Sequence, residues 1–481
     1  MLKRILKNKI FIYVASRYGT YAIQFVVSMA IAARLGPYYL GIYGFVLLII
    51  SYFSQANFGI PHSLNVLMVH NKDNRELCGT YIGNSLFLYG ILSLFVFFLY
   101  AIVEFYDIQI DKRYPIDNYL FLIASIAILT YINAILTAIL RFRNKVNQLS
   151  IVQSINVILN LLVVFFFEGS ALVMALIICN MLACIITSII SLKSQILPKI
   201  NDIKLSVSIQ KEILHKGIFL FLYNSCFYLI LITIRSIISS NYTVEEFGAF
   251  TFSFTIANSV MLLLESIMTI VFPKIIDLFS TDDHERIERA LENMRVGYIS
   301  LSHFLIYLAM ILFPVLVFYL PKYSNAITSM NMIALAVLIG TNACGYSSFL
   351  IAKNKEKISA LISLSALFIN ILLGLVFALV VKVSFSYVII ATLITYLYYS
   401  FMCVLIGRRI LGVVSITYTI KNFFPIRLLI PYTVAFVISC VRAEYIIWVP
   451  FVLYIALNRQ DIMSIKIMAM KLIKNPSIAD V

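Results

Sequence analysis

Charge is what this chain of 481 residues has least of. Asp, Glu, Lys and Arg make up only 12% of it, about half the share of a soluble domain, and that excludes an ordinary water-facing surface. Gly and Pro are also scarce, at 17 and 11, so long loops are few. No stretch has the composition of a separate soluble domain. The seven cysteines form no CxxC pair and have no partnering His; most lie within apolar runs and read as small apolar residues rather than metal ligands or disulfides. There is no Gly-rich phosphate loop, no HExxH and no GxSxG, and with them go the common hydrolase and nucleotide-dependent chemistries. The sequence reads as that of a protein that is not an enzyme, with no metal and no cofactor. The single tryptophan, Trp448, stands near the end of an apolar run, where an aromatic belt would place it.

What is present is apolar surface. Hydrophobic residues make up 62% of the chain and mean hydropathy is +0.97, which predicts an all-α polytopic membrane protein. The net charge of +15 fits loops facing anionic lipid rather than nucleic acid. The opening MLKRILKNKI precedes an apolar run too long for a signal-peptide core, so that run is expected to be the first spanning helix.

Fourteen spans are expected, near 10–33, 40–62, 79–103, 118–140, 149–167, 170–192, 214–238, 247–272, 296–320, 327–352, 358–381, 383–406, 426–441 and 443–458. If the N-terminus is cytoplasmic, 29 of the 37 Lys and Arg residues fall on inner segments and 6 on outer links. That bias predicts both termini in the cytoplasm. The segment 273–295 reads as a surface helix with an i, i+4 pair at Glu285 and Arg289, and the Lys-bearing tail 459–481 as an interfacial helix or a solvated end.

Residues 10–62 organise the rest. Two spanning runs are joined by RLGPYY, where Gly36 can end the first helix and Pro37 can begin the second. Arg17, Tyr21, Gln24 and Ser28 follow helical spacing, and Ser51, Gln55 and His62 form a second stripe with Phe58 between them. The hairpin returns 207 residues later: Gly41 matches Gly248, and the two stripes reappear at Asn224, Tyr228, Leu231 and Arg235 and at Asn258, Leu262, Glu265 and Thr269. At an offset of 210, Arg143-Asn144-Lys145 matches Lys353-Asn354-Lys355 and Asn160 matches Asn370. The chain therefore reads as two six-helix bundles of one repeated unit, 1–195 and 210–407, followed by a helix pair and tail at 408–481.

A guanidinium in mid-membrane is costly, so Arg17 and Arg235 are expected to face water or a carboxylate. They read either as an anion site, since Arg offers forked donors to phosphate oxygens, or as part of a structural ion pair with Glu265. One Glu cannot neutralise both. Arg34 extends the cationic path or snorkels to the interface. Glu265 is a candidate proton carrier or the fixed partner of Arg235. Gln24, Gln55, Asn224 and Asn258 suit sugar hydroxyls or interhelical hydrogen bonds. Asn370 is read first as a packing residue and second as part of a coupling-ion site.

The stretch ARLGPYYLGIYGF, the run ending QANFGIP, and RFRNK and KNK with the later Asn160 and Asn370 resemble the polysaccharide-transport branch of the multidrug/oligosaccharidyl-lipid/polysaccharide (MOP) exporter superfamily. The likeness covers about residues 1–406, with 407–481 as an extra pair. It implies two bundles around a laterally opening cavity and alternating access. Its O-antigen members, of the Wzx type, flip undecaprenyl-diphosphate-linked oligosaccharides across the bacterial inner membrane, where membrane lipids and other glycan-assembly membrane proteins would be the partners. Arg17 matches by position the first-helix arginines of related lipid II flippases. Coupling to H+ or Na+ is open. The rival expectations are a drug exporter of the same fold, disfavoured by two Arg against one Glu, and a membrane-embedded polysaccharide polymerase, which would be expected to carry a sizeable outer loop.

Overall fold

The computed structural model describes residues 9–143, 145–193, 203–279, 281, 283–412 and 415–463; the side chains of 9–17, 146, 220, 261–277, 418, 421 and 422 lie outside that description, as does the tail from 464. There is no strand among the described residues, and every expected span is mainly helix, with breaks inside 40–62 and 327–352. Among the described residues nine helices are long and apolar enough by themselves to cross a membrane, with shorter apolar helices at 147–163, 426–441 and 444–457. The chain is a multi-pass membrane protein.

The first hairpin is α1 (Lys9–Gln55), broken at Gly36. Its φ of 65° with ψ of 174° is backbone that only glycine adopts without strain, and Pro37 opens the second limb. The second span then departs from expectation. Instead of running on to residue 62, α1 stops at Gln55 and α2 (Ile60–His70) resumes after a four-residue break. Asn57 builds the break: its Nδ2 donates to the Ser54 carbonyl at 3.0 Å, and its Oδ1 accepts from the Gly59 amide at 3.0 Å. Phe58 and Gly59 take φ of 49° and 72°, and Pro61 sits in the first turn of α2, where it costs no hydrogen bond. Ser51, Gln55 and His62 therefore do not lie along one helix face.

The first repeat continues with α3 (Arg75–Phe105), α4 (Leu120–Phe142), α5 (Val146–Val163) and α6 (Gly169–Lys193). The second contains α7 (Val207–Asn241), α8 (Val244–Phe279), α9 (His284–Tyr319), α10 (Ile327–Gly340) with α11 (Tyr346–Ala352), α12 (Glu356–Leu375), and α13 (Phe385–Val388) with α14 (Ile390–Ile410). A short α15 (Ile416–Phe423) leads to the final pair, α16 (Ile426–Val441) and α17 (Val449–Leu457). No separate surface helix occupies 273–295. Those residues end α8 and begin α9, where Asp283 caps the Arg286 amide at 3.0 Å and the Glu285–Arg289 pair forms at 3.6 Å. The apolar turns of the span simply propagate the charged ones before it.

The helices cluster into two compact units: Met1–Tyr228 with Thr243–Gly248, and Leu229–Tyr242 with Ala249–Val481. The chain passes from one to the other inside α7, at 228/229. In the first unit, Leu64, Leu67, Tyr89, Tyr131, Ile135 and Ile139 belong to the core that joins α2, α3 and α4. In the second, every residue of α10 from Ile327 to Ile339 is buried. The start of α7 belongs to the first unit because Asn84, fully buried on α3, fastens it there. The Asn84 amide donates to the Thr80 and Lys204 carbonyls, both at 2.8 Å, and its oxygen accepts from the Ser206 amide at 3.0 Å and from Gln210 Nε2 at 3.1 Å. Glu76 pairs with Lys204 at 2.7 Å and holds its ammonium above the usual lysine range. Asn84→Leu, which strands three of these partners, is expected to destabilise the protein by about 2 kcal/mol and to speed amide exchange at Ser206; unchanged exchange there would show that the strap is held by something else.

The repeat is written into the contacts. In the first unit, a Cβ on Gly41 would collide with the Val244 carbonyl and one on Gly248 with the Pro37 carbonyl, 2.9 Å from the Gly41 nitrogen. Residues 37 and 41 become 244 and 248 at the offset of 207, so each glycine meets the counterpart of the residue that its own counterpart meets. Aromatic stacks repeat as well. Tyr114, 2% exposed, lies on Phe45 at 4.2 Å and 15°. In the second unit Tyr323, fully buried, lies on Phe252 at 4.3 Å and 31°. Each pins the link after the third helix of its repeat to the second helix.

Candidate functional site

In the first unit Arg17 lies on the first limb of α1, with its side chain outside the described set. Gln24, two turns on, is exposed. Arg34 is ion-paired with Glu168, and both side chains are largely open, at 41% and 69%. The acid stands at the turn before α6, where Gly169 takes a positive φ of 56° against the Tyr39 ring. Arg34 thus has a carboxylate partner that spacing alone did not identify. Gln55 is the last residue of α1 and half-buried, as is Asn224 on α7.

The helix break at 56–59 shapes this part of the unit. A Cβ on Gly59 would lie 2.6 Å from the Gly217 carbonyl oxygen and 2.8 Å from the Phe221 Cβ. With no side chain between them, the backbones of the break and of α7 meet directly, and Phe58 packs on Phe221 at 5.7 Å and 28°. Gln55 lies three residues before Phe58, and Asn224 three residues after Phe221. The signal for this was legible in NFGIP, where Asn, Gly and Pro cluster inside an apolar run.

In the second unit Arg235 is 7% exposed on α7, with its guanidinium 5.0 Å from the centre of the Phe254 ring on α8, a distance at which a cation is attracted to the ring face. Asn258, one turn further along α8, is half-buried, and the Glu265 side chain lies outside the described set. Asn370 is fully buried and its hydrogen-bonding groups are engaged. Its amide donates to the Ile230 carbonyl at 2.8 Å and to Thr233 Oγ1 at 3.1 Å, and its oxygen accepts from Thr392 Oγ1 at 2.9 Å. Three helices, α7, α12 and α14, meet at that amide.

The first repeat lacks this knot. Positions matching Thr233 and Thr392 at the offsets of 207 and 210 are Val26 and Leu182, and neither can donate a hydrogen bond from its side chain. Asn160 Oδ1 has no hydrogen-bond partner among the described residues, nor has Asn156 Oδ1 one turn before it. The same Asn is kept in two different environments.

A chain of two such helical units, with polar and cationic side chains on otherwise apolar spans, shares its fold with several solved membrane transporters. Among solved structures, the lipid II flippase MurJ in an inward closed conformation matches with a TM-score of 0.69 over 96% of this chain and 100% of that one, at 14% identity. An inward-facing MATE multidrug resistance transporter of the MOP superfamily matches with a TM-score of 0.65 over 85% and 99%, at 14% identity. A MOP superfamily transporter from Pyrococcus furiosus, with a binding pocket of reverse polarity, matches with a TM-score of 0.61 over 84% and 95%, at 14% identity. At that identity the likeness establishes the fold. No curated protein matches the sequence. The model of the polysaccharide biosynthesis protein family matches residues 6–279, and the chain belongs to that family.

Proposed function

We propose that the protein is a flippase that moves an undecaprenyl-diphosphate-linked oligosaccharide, an O-antigen unit or a related repeat, across the bacterial inner membrane by alternating access. The observation that carries this reading is membership of a polysaccharide biosynthesis family by a chain folded as a MOP transporter. The topology that goes with it has both termini in the cytoplasm. Arg17 and Arg235, one from each repeat, are the proposed partners of the diphosphate, because permanently charged forked donors suit its oxygens. Gln24, Gln55, Asn224 and Asn258 are the proposed partners of sugar hydroxyls. Glu265 and Asn370 are the proposed residues for coupling to H+ or Na+. Arg34 assists the anion only by exchanging its Glu168 partner for it.

A drug exporter of the same fold is the second reading, favoured by the MATE transporters among the structures of similar fold. The experiment separates the two with purified protein, by thermal stabilisation with undecaprenyl diphosphate against a lipophilic cationic drug, in wild type and Arg17→Ala. A ligand at a hundred times its Kd stabilises the state that binds it by about 2.7 kcal/mol. Stabilisation by the diphosphate, lost in Arg17→Ala while the unliganded melting point holds, is the expected result. Stabilisation by the drug alone would replace the flippase with the exporter.

A further inference from the structure

The break at 56–59 belongs to one repeat only. Its counterpart at an offset of 207 falls near Glu265, inside the uninterrupted helix α8. A feature that the fold does without in one copy has a use in the other. What the break changes is the presentation of Phe58. In a straight helix its φ would be negative; here φ is 49°, a conformation disfavoured for a side chain of that bulk and retained where the surroundings enforce it. Asn57, Gly59 and Gly217 are those surroundings. The Phe58 ring is backed by Phe221 and remains 44% exposed.

Polar residues stand close in sequence to both members of this aromatic pair. Asn224 and Tyr228 follow Phe221 by three and seven residues on one face of α7, and Tyr228 is 53% exposed. Gln55 precedes Phe58 by three. The lipid-facing strip of α3 in the same unit, with Leu94, Phe97 and Phe98 all more than half exposed, holds no amide. An exposed aromatic face, with carboxamides three residues from it and from the ring that backs it, suits a pyranose ring. Its C–H face lies on the negative face of the ring, and its hydroxyls both donate to and accept from amides. A prenyl chain has no need of the amides, and a diphosphate none of the ring.

We propose that Phe58 is the stacking platform for a sugar ring of the transported glycan, with Gln55 and Asn224 bonded to its hydroxyls. This rests on the flippase reading. Trp448 is the only tryptophan, so Phe58→Trp with Trp448→Phe places a single reporter at the platform. The probes are undecaprenyl diphosphate and the same lipid carrying one N-acetylglucosamine. The expected result is an emission change with the sugar-bearing lipid alone. Phe58→Leu should then lose roughly tenfold in affinity for that lipid and none for the bare one, while Phe58→Tyr retains both. Equal affinities of wild type and Phe58→Leu for the sugar-bearing lipid, or an equal loss for the two lipids, would overturn the platform with the flippase reading intact. Wild-type protein that binds neither lipid overturns both.

Discussion

Gly248→Leu is expected to be among the most damaging single substitutions in the chain, lowering stability by about 3 kcal/mol or more and abolishing transport. Gly248 meets backbone, the Pro37 carbonyl and the Gly41 nitrogen, and backbone within a helix cannot rotate aside as a side-chain tip does. Even Gly248→Ala places a carbon where an oxygen already is, so the start of α8 must lift from the second limb of α1. Gly41 has the matching obstacle in the Val244 carbonyl and in Val244 Cγ1 at 2.9 Å. Because one separation relieves both collisions, Gly41→Ala and Gly248→Ala are expected to be strongly non-additive, the pair costing little more than the worse single change. Thermal unfolding of the purified single and double variants measures this. Additive losses would mean that the two contacts yield independently, and an unchanged melting point for Gly248→Leu would mean that the helices do not meet there.

The glycine contact also marks how far the sequence could be read. Gly41 and Gly248 were recognisable as repeat mates from LGIYGF and FGAFTF, and the helix count followed from the length of the apolar runs. Both depend on local pattern, which a sequence displays directly. That the two glycines touch, through residues that are themselves repeat mates, is a statement about packing and no spacing announces it. The aromatic stacks were hidden for a further reason: Tyr114 and Tyr323 lie in links of differing sequence, about 70 residues from Phe45 and Phe252. The helical spacing read for the stripes held on the first limb of α1 and on α7, where helix is continuous. They failed at His62, because an amide side chain, Asn57, supplied an alternative to helical hydrogen bonds. Glu168, which meets Arg34 across 134 residues, went unnoticed because an acid at a span end reads as a solvated charge.

The second large effect is a difference in sign between two asparagines that the sequence presents as equivalent. Asn370→Leu removes the donor to the Ile230 carbonyl and to Thr233 and the acceptor for Thr392, and it strands the Thr392 hydroxyl in an apolar interior, while Thr233 keeps its bonds to the Leu229 and Ile230 carbonyls. Interhelical hydrogen bonds within membranes are worth roughly 0.6 kcal/mol each, and the branched side chain must also fit where a planar amide lay, so the expected loss is about 2 kcal/mol or more. Asn160→Leu removes an amide oxygen that is buried without a hydrogen-bond partner among the described residues, and the positions that match the two threonines are Val26 and Leu182. Relief of an unpaired buried acceptor offsets the change, and its expected effect on stability is neutral or slightly favourable. The decisive variant restores the missing partners: Val26→Thr with Leu182→Thr should make Asn160→Leu costly, as a copied knot would require. If Asn160→Leu and Asn370→Leu melt at the same temperature in the wild-type background, the hydrogen bonds at Asn370 do not carry the stability assigned to them. If the threonine background leaves Asn160→Leu neutral, then geometry peculiar to the second repeat, and not the identity of two side chains, closes the knot.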